Sequence, residues 1–246
     1  MFAVAAVLLV SFVLIEQRTE APLVRLSIFR TRSLTTANLV MFLVASGLFS
    51  MFFFNSLYIQ RVLGYGPLKA GLAFLPFTAG VMVAAGISSK FAPKIGVRPV
   101  AAAGMLLGAV GMLLLARLPV DGSYVADVLP SILLSSLGMG AVFMPLTLVA
   151  TTGLEDEDQG LASGLFNTSQ QIGGALGLAI LSTIAASRTS ALGGKGSAAL
   201  VGGFHWAFAG AGVLVALSLV TMLALLRKRH VARIEAAAEA EPALAA

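Results

Sequence analysis

Ser33–Gln60, SLTTANLVMFLVASGLFSMFFFNSLYIQ, contains no Asp, Glu, Lys or Arg. A helix needs about 20 mostly apolar residues to cross the hydrocarbon core of a bilayer, and this stretch passes that length before Arg61 ends it. Charge-free runs recur at 70–89, 99–116, 128–154, 159–187 and 196–226, with a shorter one at 1–15. A charge at the bilayer centre costs about 2.5–3.5 kcal/mol even on the gentlest scale. The six longer runs therefore predict six transmembrane helices, at about 36–60, 70–89, 99–117, 128–150, 160–187 and 206–226, and an all-α membrane protein. The same runs hold no carboxylate that could carry a proton through the membrane.

Composition points the same way. The chain is 58% hydrophobic and 11% charged, with a mean hydropathy of +0.96, where a soluble domain has about 25% charged residues. With no cysteine there is no disulfide framework, thiolate metal site or cysteine nucleophile. A net charge of +5 raises the question of nucleic acid. The basic residues are scattered in short segments between apolar runs, however, which fits membrane sidedness and not nucleic-acid binding. No H-E-x-x-H, G-x-S-x-G or P-loop lysine motif occurs, and no two acids share a span. The expectation is a protein that is not an enzyme and uses no metal and no cofactor.

Loop charges orient the spans. Arg18, Arg25, Arg30, Arg32, Lys90, Lys94, Arg98, Arg227, Lys228, Arg229 and Arg233 fall on one side; Arg61, Lys69, Arg117, Arg188 and Lys195 fall on the other. The richer side is expected to be cytoplasmic, and with it the 16–35 linker and the 228–246 tail, whose Ala/Glu-rich end reads as disordered. Residues 1–15 reach about 22 Å as a helix, short of the roughly 30 Å core, and lack the features of a signal peptide. They read as the end of a spanning helix whose beginning is missing, in a piece of a longer protein.

Glycines recur four apart at Gly104/Gly108, Gly160/Gly164 and Gly173/Gly177, a spacing that lets helix backbones approach closely in lipid. Pro76 and Pro145 lie inside spans and are expected to kink them. The spans also divide into two triplets, about 34–117 and 127–226, a pattern compatible with inverted repeats.

Three segments carry a resemblance. Leu57–Gln60 with Val62-Leu-Gly-Tyr-Gly-Pro-Leu-Lys-Ala-Gly-Leu-Ala-Phe-Leu-Pro76 is the first; Gly138-Met-Gly-Ala-Val-Phe-Met-Pro-Leu-Thr147 is the second; Gly160-Leu-Ala-Ser-Gly-Leu-Phe-Asn-Thr-Ser-Gln-Gln-Ile-Gly-Gly-Ala-Leu-Gly177 is the third. Together, and in this order, they resemble the C-terminal half of drug:proton antiporters of the fourteen-span EmrB/QacA-type branch of the major facilitator superfamily. The resemblance covers about 16–227. It implies that residues 1–15 are the end of a linker transmembrane helix, that residues 36–227 form the six-helix C-terminal bundle, and that the N-terminal bundle, with the coupling carboxylates, is missing from this chain. It further implies proton-coupled export of hydrophobic or amphipathic small molecules by alternating access, from a multi-pass protein of the plasma membrane with a cytoplasmic C-terminus. The rival expectation is a non-transporting truncated module, or a partner subunit that packs on another bundle. One departure is plain: Ser89–Arg98 keeps Gly96 and Arg98 of the family's cytoplasmic signature but has Pro93 where an acid would stand, so no charge relay carries over to it.

Asn167, Gln170 and Gln171, with Thr168, form the most polar patch inside a span. Two readings fit: hydrogen bonds between helices, or Asn167 and Gln171, four apart on one face, looking into a translocation cavity. Asn55, Tyr58 and Phe53 are the corresponding candidates on the first full span, within an aromatic-rich stretch able to stack on a planar drug. Gly138, Gly140, Gly173, Gly174 and Gly177 are candidates for close packing. Glu155 and Asp158 open the fifth full span, either as helix-dipole acids or as a cytoplasmic gate paired with Lys94 and Arg98 beside Gly96. His205, next to Trp206, reads as an interfacial anchor, and Asp121 and Asp127 as loop or capping acids.

Overall fold

The structure, a computed structural model, describes residues 2–16, 19, 28, 31–151, 154 and 156–226. Its helices are α1 Phe2–Glu16, α2 Arg32–Arg61, α3 Pro67–Leu72, α4 Leu75–Ile95, α5 Val97–Leu115, α6 Leu129–Thr151, α7 Asp156–Ala191 and α8 Gly196–Leu225, with a π-helical turn at Tyr124–Val128 leading into α6. Six spans are long and apolar enough to cross a membrane, α3 with α4 and the π turn with α6 each counting as one. Segments 62–66, 116–123 and 192–195 lie at one end of the bundle, called the rim below.

The spans pack in a repeated pattern. α2 lies against α7 and α8, and α6 lies against α4 and α5; α5 meets α8. Exchanging the triplet α2, α3–α4, α5 with the triplet α6, α7, α8 maps these pairings onto one another, as inverted repeats require. The first triplet starts at the end opposite the rim and the second at the rim.

Lipid is as apolar as leucine, so burial alone does not hold these helices together; close backbone approach and interhelical hydrogen bonds do. α5 and α6 meet where a Cβ at Gly104 would strike the Gly138 carbonyl and one at Gly138 would strike the Gly108 backbone. α6 meets α4 where a Cβ on Gly140 would strike the Val81 carbonyl and the Ala84 methyl. α7 meets α2 through Gly173 on the Phe42 backbone, Gly177 on Ser46 and Gly174 beneath the Phe49 ring. Gly160 and Gly164, the third expected packing pair, face open space with nothing within 4 Å.

The helices outrun the spans read from charge. α7 extends beyond 160–187 at both ends, α8 starts ten residues before 206, and α4 runs through Lys90, Pro93 and Lys94 to Ile95. The backbone ladder does not stop at the hydrocarbon edge, so charge marks the membrane and not the helix. The expected 90–98 loop shrinks to Gly96, whose φ of 92° is a conformation open to glycine and strained for other residues. Pro76 does more than kink its span: the helix stops at Leu72 and restarts at Leu75. Pro145 lies within an uninterrupted α6. The 228–246 tail and most of the 16–35 linker lie outside the described residues.

Gly177→Ala, which drives a Cβ into Ser46, is expected to destabilise the bundle by about 1–3 kcal/mol. Gly164→Ala, which meets nothing, should leave stability unchanged or slightly raised. Thermal unfolding of the two variants in detergent checks the contrast.

Candidate functional site

α7 turns two different faces to its surroundings. One face is fastened to α2: the Ser169 hydroxyl donates to Asn38 Oδ1 at 2.8 Å, and Ser46 Oγ donates to the Gly173 carbonyl at 2.8 Å. Asn38 Nδ2 in turn donates to the Leu34 carbonyl at 2.8 Å, so this buried amide is satisfied on both sides. With the glycines letting the backbones touch, α7 is held at a fixed rotation. Its other face presents Asn167, Thr168 and Gln171 exposed, with Gln170 half-buried at the edge. Thr168 bonds back to the Gly164 carbonyl at 2.8 Å; the Asn167 and Gln171 amides find no partner among the described residues.

Depth gives this patch its meaning. Asn167 and Gln171 lie about 17 and 22 Å along a helix that is about 54 Å long, a third to two fifths of the way from its N-terminus and well inside the span. Unsatisfied amides there cost several kcal/mol against hydrocarbon, so they require water or another protein surface. The spans α4 and α7 are also the least buried of the six, 28% each in their most apolar windows.

The aromatic stretch of α2 divides its rings among its neighbours. Phe52 packs on Phe74 and Phe77, at 5.4 and 4.7 Å between centroids, closing α2 onto α4. Phe54 packs toward Phe204 and Phe208 of α8. Phe53 stands edge-on to Phe54 and is 43% exposed, the ring available for stacking. Asn55 and Tyr58 are both fully buried inside the bundle, not on the open face with Asn167. Asn55 Nδ2 lies 3.1 Å from Met51 Sδ, its Oδ1 has no partner, and the Tyr58 hydroxyl donates to the Pro119 carbonyl at 2.7 Å. A groove of about 470 Å³ between α4 and α6, lined by Val81, Ala85, Gly140, Phe143 and Met144, adds an apolar surface without a charged side chain.

The prolines free carbonyls, and side chains of the other triplet reach them. Pro76 has no N–H to offer Leu72, and the Phe77 N–H turns to Phe74, leaving the Ala73 carbonyl to the Tyr124 hydroxyl at 2.6 Å. Pro145 frees the Ala141 carbonyl, which Ser88 Oγ approaches at 3.5 Å.

At the end opposite the rim, Arg98 donates to the Leu223 carbonyl at 2.7 Å, in the last turn of α8. That is where the carbonyl-rich end of a helix attracts a cation, so Arg98 ties α5 to α8. Lys94 is exposed in the last turn of α4, Gly96 forms the turn, and Asp158 is half-buried in the first turn of α7; Glu155 lies outside the described residues. At the rim, Arg188 stacks 4.2 Å over Trp206, His205 Nε2 lies 2.7 Å from the Leu118 carbonyl, and Asp127 accepts from the Ser123 N–H at 2.7 Å. Sequence reasoning missed Ser88, Ser169, Tyr124 and the role of Asn38, since a lone Ser, Asn or Tyr in an apolar run does not disclose its partner.

Comparison with known proteins agrees with this architecture. Residues 1–178 match the Major Facilitator Superfamily, and the chain belongs to it. The chain is 34% identical over 194 residues to the puromycin resistance protein pur8 of Streptomyces alboniger, covering 78% of this chain and 39% of that protein. It is 38% identical over 187 residues to the cephamycin export protein CmcT of Amycolatopsis lactamdurans, covering 74% and 38%. A tetracenomycin C resistance and export protein of Streptomyces glaucescens is 34% identical over 188 residues, covering 76% and 35%. The chain thus spans well under half the length of the curated relatives it matches.

Ser169→Ala strands the buried Asn38 Oδ1 and is expected to cost about 1–3 kcal/mol, while Asn167→Ala on the open face should leave the melting temperature near the native value. Thermal unfolding of the two single variants in detergent separates them.

Proposed function

We propose that this chain builds the C-terminal bundle of an efflux transporter that expels hydrophobic or amphipathic small molecules, natural-product antibiotics among them, in exchange for protons. The observation that carries the reading is the pair Asn167 and Gln171: two amides without a partner among the described residues, turned outward well inside the span. A second bundle facing α4 and α7 would cover them, and a water-filled path between the bundles would hydrate them. In this reading the rocking of the two bundles exposes that path to either side in turn. Asn167, Gln171 and Phe53 offer a substrate two amides and a ring, and the α4–α6 groove accepts its apolar part.

No carboxylate falls within the six charge-free runs, which supports placing the coupling acids in the N-terminal bundle. The Lys/Arg distribution supports a plasma-membrane orientation with the rim outside and the C-terminus in the cytoplasm. The relatives' names, which speak of resistance and export, support the substrate class; the superfamily and the absence of an enzyme motif favour transport over catalysis.

Full-length protein in proteoliposomes with an imposed pH gradient tests this. Substrate accumulation should vanish when the gradient is collapsed; efflux indifferent to the gradient would overturn the proton coupling. Asn167→Leu and Gln171→Leu should each lower transport about ten-fold, the worth of one hydrogen bond to substrate, while the protein still folds. Full activity in both variants would remove the amides from the path.

A further inference from the structure

We propose that Ala73–Phe74 is the hinge of a rim-side flap formed by α3, and that the Tyr124 hydroxyl is the latch that sets the flap's position. The inference goes beyond the export reading and does not rest on it.

The break between α3 and α4 is cheap to bend. α3 is a six-residue helix with Leu68 81% exposed, Leu72 54% exposed and only Ala70 buried. Across the break the Ala73 N–H reaches Lys69, the Phe74 N–H reaches Gly71 and the Phe77 N–H reaches Phe74. No backbone donor from α4 reaches Leu72, because the residue in place is Pro76. The joint therefore lacks the continuous ladder that stiffens the rest of the span.

What steadies it comes from the second triplet. Tyr124 donates to the Ala73 carbonyl at 2.6 Å, and its ring lies 6.3 Å from the Tyr65 ring, which carries Lys69 Nζ 3.8 Å above its face. The base of the latch is itself anchored. Ser123 and Asp127 cap the π turn reciprocally, the Ser123 hydroxyl accepting from the Ala126 N–H at 3.2 Å. Two successive carbonyls just before it, Leu118 and Pro119, are held by His205 and Tyr58 from α8 and α2. A rigid collar thus holds one side of a single neutral hydrogen bond, and an exposed short helix hangs from the other. Such a bond shifts an equilibrium by a factor of about two to ten, strong enough to bias the flap and weak enough to release. The flap adjoins the Phe52–Phe74–Phe77 cluster, so its position governs access to the rim end of the α2–α4 seam. Tyr124 is in this sense a positioning residue.

Spin labels at Leu68→Cys on α3 and Leu192→Cys on the rim, in the full-length protein in lipid with other cysteines replaced, read the distance directly and without substrate. This chain supplies no cysteine of its own. Tyr124→Phe, which removes only the hydroxyl, should raise the displaced population about two- to ten-fold. Pro76→Ala in that background restores an N–H for Leu72, stiffens the joint, and should narrow the distribution to a single population. A Tyr124→Phe protein that melts lower but keeps the native distance distribution would make the contact purely structural and overturn the latch. Should Tyr124→Phe fail to fold, amide hydrogen exchange on the native protein reads the joint instead: faster exchange at Ala73 and Phe74 than in the middle of α4 supports the hinge, and equally slow exchange overturns it.

Discussion

A carbonyl freed inside a bilayer has no water to turn to, and much of this bundle is arranged around that fact. Pro76 and Pro145 each release carbonyls within spans long and apolar enough to cross a membrane. The side chains that reach them, Tyr124 and Ser88, belong to the opposite triplet in each case. The two repeats are joined by meeting each other's backbone needs as well as by contact. Buried Ser46, Ser50 and Asn38 place their polar atoms on carbonyls or another side chain; Asn55 Oδ1 and Ser135 Oγ are the exceptions among the described residues.

The same solvent explains the role of glycine. Without a hydrophobic drive between helices, association depends on contact distance, and contact distance depends on removing Cβ. The glycines of α5, α6 and the second half of α7 mark the seams at which backbones touch. Those of the first half of α7 mark an open surface, continuous with Asn167 and Gln171. One helix therefore uses one residue type for two purposes, and the change falls where α7 leaves the α2 seam.

This division sets what could be read ahead of the structure. The six spans, their order and the amide patch were legible, because the absence of charge is a constraint on each residue separately. Helix ends were not, since α4 and α7 carry their ladders past Lys90 and Asp158 into charged sequence. Nor was the fate of Asn55. A span apolar on all sides has no stripe to show which way it faces, and Asn55 points inward while Asn167 points outward. The gate reading, in which Arg98 pairs with acids at the start of α7, has a rival in the α8 carbonyl that Arg98 reaches, a partner on another helix that spacing could not supply.

By itself the sequence determined the solvent, the number of spans and the superfamily, because each follows from local composition or from short ordered motifs. Only the tertiary structure decided which glycines are seams and which are open, and which aromatic ring is left uncovered. It also decided that Pro76 breaks its helix and leaves Ala73 to Tyr124. These outcomes depend on distances between residues some thirty to one hundred and thirty positions apart, which no local pattern encodes.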